Sequence, residues 1–132
     1  MIGLDTNVVV RLLVGDDPRQ TAQAKRCVDK RCTPESPGFI SNIVLVELAW
    51  VLARSYGYGR ADIVHAIETL LAGGDRVFED HDEVRAALQD QKSGRADLID
   101  SLIGRVNRAR GCTATATFDR RAAKLETFIA VA

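Results

Sequence analysis

The chain has 132 residues, and its eighteen Lys and Arg balance eighteen Asp and Glu, so its formal net charge is zero. That length suits one domain over residues 1–132 with little left over, and a 46% hydrophobic content excludes an intrinsically disordered chain. Nucleic-acid binding through bulk positive charge is excluded as well, although total charge does not see a local basic patch.

Met1-Ile2-Gly3-Leu4 reads as a short apolar strand that breaks at Asp5-Thr6-Asn7. Val8 to Val14 resumes as a first helix, capped by one of those three polar residues. Gly15 to Pro18 is a turn, with Pro18 suited to the first position of the next helix. That helix runs to about Cys32, with Ala22, Cys27 and Val28 facing inward. After a loop with two prolines, Phe39-Ile40-Ser41 is a second strand. The helix over 43–55 follows, the most apolar stretch of the chain, with Trp50 expected in the core. Residues 61–71 form another helix, Val77-Phe78 a strand, and a helix capped by Asp80 or Asp82 runs to about Gln91. A helix from about Ala96 to Arg110 stops at Gly111. Thr113 to Phe118 alternates as a strand does, and Phe128 to Val131 is the last strand. Strands alternating with helices predict an α/β fold, three-layer α/β/α around a short, mostly parallel sheet. The run from Ile43 to Ala53 is too short for a bilayer, Asp5 breaks any signal-peptide pattern, and three cysteines lack metal-ligand spacing. A cytoplasmic protein without a membrane segment is therefore expected.

The acids conflict with what a stable core wants. Asp5 and Asp119 each end an apolar strand, and in a parallel sheet those ends line one edge, where ligands bind. Each could equally cap the helix that follows. Glu47 is the only polar side chain between Ile43 and Ala53, so it should project into the core or onto a cleft rim, where a buried carboxylate needs a cation, a donor or a proton. An exposed position on that helix is the alternative. Asp97 and Asp100 share one helix face near its N-terminus. The helix dipole suits both there, and Asp97 could be a plain cap. Several carboxylates around one crevice would repel without a cation. Their hard oxygens suit Mg²⁺ or Mn²⁺ and not zinc. Such an ion makes a nucleophile of bound water and steadies charge on a phosphodiester. His65 and His81 have no ligand-spaced partners and read as surface residues.

Asp5-Thr6-Asn7, Glu47 in Val-Leu-Val-Glu-Leu, Asp97-Leu-Ile-Asp100-Ser-Leu-Ile and Thr117-Phe-Asp119 together resemble the PIN domain, in the form of the VapC-type toxins of bacterial toxin–antitoxin pairs. The resemblance covers essentially the whole chain. It implies a metal-dependent endoribonuclease with Asp5, Glu47, Asp100 and Asp119 as catalytic, metal-holding acids. Asp97 matches an additional acid, and Thr6, Asn7 and Thr117 match polar supporting residues. It also implies a homodimer silenced by a cognate antitoxin. Gly104-Arg105 departs from the small residues of many relatives at that place, with an expected effect on helix packing or substrate contact.

Arginine grips phosphate bidentately, and Arg120 and Arg121 directly follow Asp119, so these two are expected at the RNA backbone. The helices before and after the second strand, with Trp50, Tyr56 and Tyr58, carry more apolar surface than a small monomer covers, which suggests a partner surface. A non-catalytic interaction module, whose acids bind a structural cation or cap helices, is the competing reading. An aspartyl-nucleophile phosphatase fits poorly, because position 7 is Asn where such sites typically need Asp.

Overall fold

The computed structural model describes residues 1–131, and these divide into two compact units, Met1–Glu79 and Asp80–Ala132. The first contains α1 (Thr6–Leu13), α2 (Pro18–Arg31), β1 (Gly38–Ile40), α3 (Asn42–Tyr56), α4 (Arg60–Ala72) and β2 (Arg76–Phe78). The second contains α5 (His81–Lys92), α6 (Leu98–Ala109), β3 (Thr115–Thr117), a 3₁₀ turn at Ala122–Lys124 and β4 (Phe128–Ala130).

Punctuation in the sequence sets most boundaries. Pro18 opens α2, where its missing N–H costs nothing, and the Asp17 carboxylate accepts from Gln20 N at 3.0 Å. Ser41 caps α3 by accepting from Val44 N at 3.2 Å. Gly57, at φ 66°, closes the same helix in the left-handed region that disfavours a side chain. Asp97 caps α6, which therefore begins two residues later than its apolar pattern suggests. Asp80 occupies the N-cap position of α5, although its side chain makes no capping bond there.

Both strand pairs are parallel. In the first unit β1 lies beside β2 with Phe39 opposite Val77, and in the second β3 lies beside β4 with Ala116 opposite Ile129. The expected first strand is shorter than its sequence suggests. Residues 1–4 make one parallel bridge, Gly3 to Phe39, with Phe39 N donating to Ile2 O at 2.7 Å and Leu4 N to Phe39 O at 2.8 Å. A ladder needs more than one paired residue to count as a strand, and Asp5 already turns the chain into α1.

In the first unit Val9, Ile40, Leu45, Leu48, Leu52, Ile67 and Leu70 are fully buried, each contributing about 1.5–3 kcal/mol of hydrophobic stabilisation. In the second, Val84, Ala87, Leu88, Leu98, Leu102 and Phe128 are buried. Two expected core residues lie outside. Cys27 is exposed, because Ala24 and Val28 set the buried face of α2 and position 27 falls off it. Trp50 is 61% exposed, with the Arg54 guanidinium 4.2 Å from its ring centroid. Leu45, Leu48 and Leu52 fill the inner face of α3, which leaves Ile43, Val46 and Trp50 on the outer one.

Candidate active site

The first unit holds one half of the expected acidic set. The chain leaves its bridge to β1 at Leu4, and Asp5 caps α1, its Oδ1 accepting from Thr6 N at 2.9 Å. This fixes Thr6, which is buried, so that its hydroxyl donates to Glu47 Oε1 on α3 in a short hydrogen bond. Thr6 thereby joins two acids forty-two positions apart. Glu47 is exposed, on the rim and not in the core, and that hydroxyl supplies the donor its carboxylate requires. Asn7 is exposed on α1.

The second unit holds the other half. Asp97 Oδ2 accepts from Ile99 N at 3.2 Å and Asp100 N at 3.5 Å, which anchors the first turn of α6. Thr117 ends β3, and its Oγ1 accepts from Asp119 N at 3.0 Å. Asp119 Oδ1 in turn accepts from Ala122 N at 2.8 Å and caps the 3₁₀ turn. Asp100 differs from both. Its half-buried carboxylate has no hydrogen bond and no cation among the described residues. Burial pushes its pKa above the ordinary value of 3.8, and the neighbouring charges of Asp97 and Asp119 push it the same way.

Among the described residues no three His, Cys, Asp or Glu side chains are arranged to hold a metal. What each unit does gather is oxygen: two carboxylates and a hydroxyl in the first, three carboxylates in the second. Arg120 is exposed beside Asp119, while Arg121, also exposed, donates from Nη2 to Gly94 O at 2.9 Å and ties down the loop ahead of α6. His65 is exposed on α4, as expected, and His81 is half-buried at the start of α5.

A second polar centre escaped the sequence reading. Asp90 on α5 is 6% exposed, and its Oδ2 accepts from Ser101 Oγ at 2.5 Å, from Arg105 Nε at 3.0 Å and from Arg105 Nη2 at 2.9 Å. The signal was its phase: Asp90 falls three residues after buried Ala87, on the apolar side of α5. The network borders a cavity of about 430 Å³.

A helix-rich α/β chain with parallel strand pairs and carboxylates just past its strand ends defines an acidic-site α/β domain. The chain belongs to the PIN domain family, whose model matches residues 2–127, and its fold is PIN-like as expected. Among solved structures, that of the Mycobacterium tuberculosis toxin VapC20, described as cleaving the sarcin-ricin loop, is similar at 25% identity with a TM-score of 0.45. The match covers 96% of this chain and 98% of that one. No curated protein matches.

Proposed function

We propose that this protein is a Mg²⁺- or Mn²⁺-dependent endoribonuclease, the toxin of a VapC-type toxin–antitoxin pair, in which residues 1–132 act as one nuclease domain. Membership of the PIN family supports a nuclease, and the acids occupy the motif positions for one. The observation that carries the reading is Asp100, a half-buried carboxylate without a partner among the described residues, set between Asp97 and Asp119. A folded chain gains nothing from such a group unless a cation completes it.

The donor set fits a hard divalent ion, since every candidate ligand offers carboxylate oxygen. Asp5, Glu47, Asp100 and Asp119 would hold it, and when bound it supplies an acidified water and neutralises charge on the phosphodiester. The protein's own groups do the placing. Thr6 holds the Glu47 carboxylate through its hydroxyl, Thr117 orients Asp119 through the backbone, and Asp97 fixes the turn that presents Asp100. Asn7 and Arg120 are exposed to meet RNA, with Arg121 steadying the adjacent loop.

The apolar stripe Ile43, Val46 and Trp50, beside a groove of about 620 Å³, supports a homodimer face, and a cognate antitoxin belongs to the same reading. No helix among the described residues is long and apolar enough to cross a membrane, which accords with work in the cytoplasm. The competing reading, a non-catalytic module, draws on the capping bonds of Asp5, Asp97 and Asp119. Incubation of the purified protein with structured RNA, with and without EDTA, decides between them. Cleavage that EDTA abolishes and that Asp5→Asn and Asp100→Asn remove supports the nuclease. Cleavage indifferent to all three, or no hydrolysis of any nucleic acid, overturns it.

A further inference from the structure

We propose that the cavity of the second unit seats a phosphate of a nucleic-acid backbone, gripped by Arg95, Arg108 and Lys124 above a floor fixed by Asp90, Ser101 and Arg105. The choice of nucleic acid rests on the nuclease reading, but the seat does not depend on its chemistry.

Charge comes first. Arg105, half-buried, commits Nε and Nη2 to the buried Asp90, so this pair is a structural floor. Arg95 Nη1 lies 3.8 Å from Asp90 Oδ1 with its side chain 69% exposed. Arg108 Nη2 lies 3.7 Å from Glu126 Oε1, and that glutamate side chain is 84% exposed. Such long, wet pairs contribute under about 1 kcal/mol and yield to a better anion. Lys124 has no anionic partner among the described residues. Two carboxylates face four cations here, leaving two positive charges on one concave surface of a chain whose net charge is zero.

A neutral donor is available too. Thr127 lines the cavity, is 6% exposed, and its hydroxyl has no partner among the described residues. Guanidinium forks with a hydroxyl suit tetrahedral phosphate oxygens. An acidic peptide fits less well, since Leu125 is the single apolar side chain in the lining and offers little anchorage. Placement agrees as well. Asp100 stands immediately before Ser101 on α6, and Asp119 caps the 3₁₀ turn that carries Lys124. The elements that present the acids also present the cations, so a backbone engaged by one has neighbouring phosphates for the other.

The test is fluorescence anisotropy of a labelled RNA hairpin with the full chain in EDTA, across a salt series. The double variant Arg108→Gln/Lys124→Gln should bind at least about tenfold more weakly, and its plot of log affinity against log salt should flatten by about 1.5, near 0.7–0.9 per lost contact. Its thermal melt should match wild type, because both side chains are exposed. Unchanged affinity and slope overturn the proposal. So does a poly-glutamate peptide that displaces RNA at equal concentration, or inorganic phosphate that displaces it at micromolar levels. Asp100→Asn separates the two readings: it should retain RNA affinity in EDTA while losing cleavage. Absent cleavage by wild type with Mn²⁺, alongside weakened binding by the double variant, removes the nuclease and leaves the seat standing.

Discussion

Gly104→Ala tests how the second unit holds its acids. Gly104 is buried in the middle of α6, and a methyl group there would lie 2.4 Å from Thr127 Oγ1, 2.6 Å from Phe128 Cε2 and 3.0 Å from Thr127 Cβ. Carbon contacts are comfortable near 3.5–4.0 Å, so α6 and β4 must separate by several tenths of an ångström or more. Helix propensity pulls the other way, favouring alanine by about 1 kcal/mol. Overpacking of this kind costs about 1–3 kcal/mol, and Phe128, buried against the helix, cannot swing into solvent without losing its own burial. The expected net is a destabilisation of up to about 2 kcal/mol, measured by urea unfolding. Because β4 pairs with β3, which leads into Asp119, the displacement should also lower RNA cleavage. Gly74→Ala is the control, with nothing within 4 Å of the added methyl, and should be neutral or slightly stabilising. A Gly104→Ala protein more stable than wild type would refute the close approach of α6 to β4, and with it this account of the departure at Gly104-Arg105.

Three other outcomes follow from the same contacts. Because the Asp100 pKa is raised, its contribution to stability is fully present below the ordinary value of 3.8 and is lost as pH rises through the raised value. The difference in unfolding free energy between Asp100→Asn and wild type, without metal, should thus vanish below that ordinary value and favour the variant above the raised one; millimolar Mn²⁺ near neutral pH should raise the wild-type Tm alone. Thr6→Val removes the only donor to Glu47 among the described residues, and should cost about 1 kcal/mol or less in stability because Glu47 is exposed. It should slow cleavage by about tenfold, a loss of about 1.4 kcal/mol, while Thr6→Ser restores it. On the proposed homodimer face, Trp50→Glu should leave a monomer in light scattering with an unchanged circular dichroism spectrum, as Trp50 stands clear of the core.

Much of the architecture was legible because the chain is clearly punctuated. Pro18, Gly57, Gly111 and the polar caps sit where helix termini require them, and β-branched residues mark β3. The four acids stood out because each interrupts an apolar segment. What remained hidden depends on partners distant in sequence. Burial of Trp50 could not be read from an α3 that is apolar all round, since only tertiary packing chooses which face turns inward. Cys27 looked inward by composition, yet helical phase follows Ala24 and Val28. Asp90 resembled a solvated helix residue because its partners, Ser101 and Arg105, lie eleven and fifteen positions on. Thr6 was expected only as support, and its bond to Glu47 gives that support a physical form.

Folding and chemistry make competing claims on Asp5, Asp97 and Asp119, because each caps a helical turn and needs no function to explain it. Asparagine separates the claims. It caps about as well as aspartate, so Asp5→Asn and Asp119→Asn should keep unfolding free energies within about 0.5 kcal/mol of wild type, as for other mild surface changes. A metal ligand loses its charge in the same substitution, and cleavage should fall by about a hundredfold or more, which is at least about 2.7 kcal/mol of transition-state stabilisation. Glu47→Gln belongs in the same series, since it caps nothing and retains an oxygen for Thr6. If losses in cleavage across these variants simply track losses in Tm, the aspartates are caps and the acidic set is an accident of helix termini. If cleavage collapses while Tm holds, the same side chains that terminate the helices also carry the reaction, and Asp100, which terminates nothing, should be the most sensitive of all.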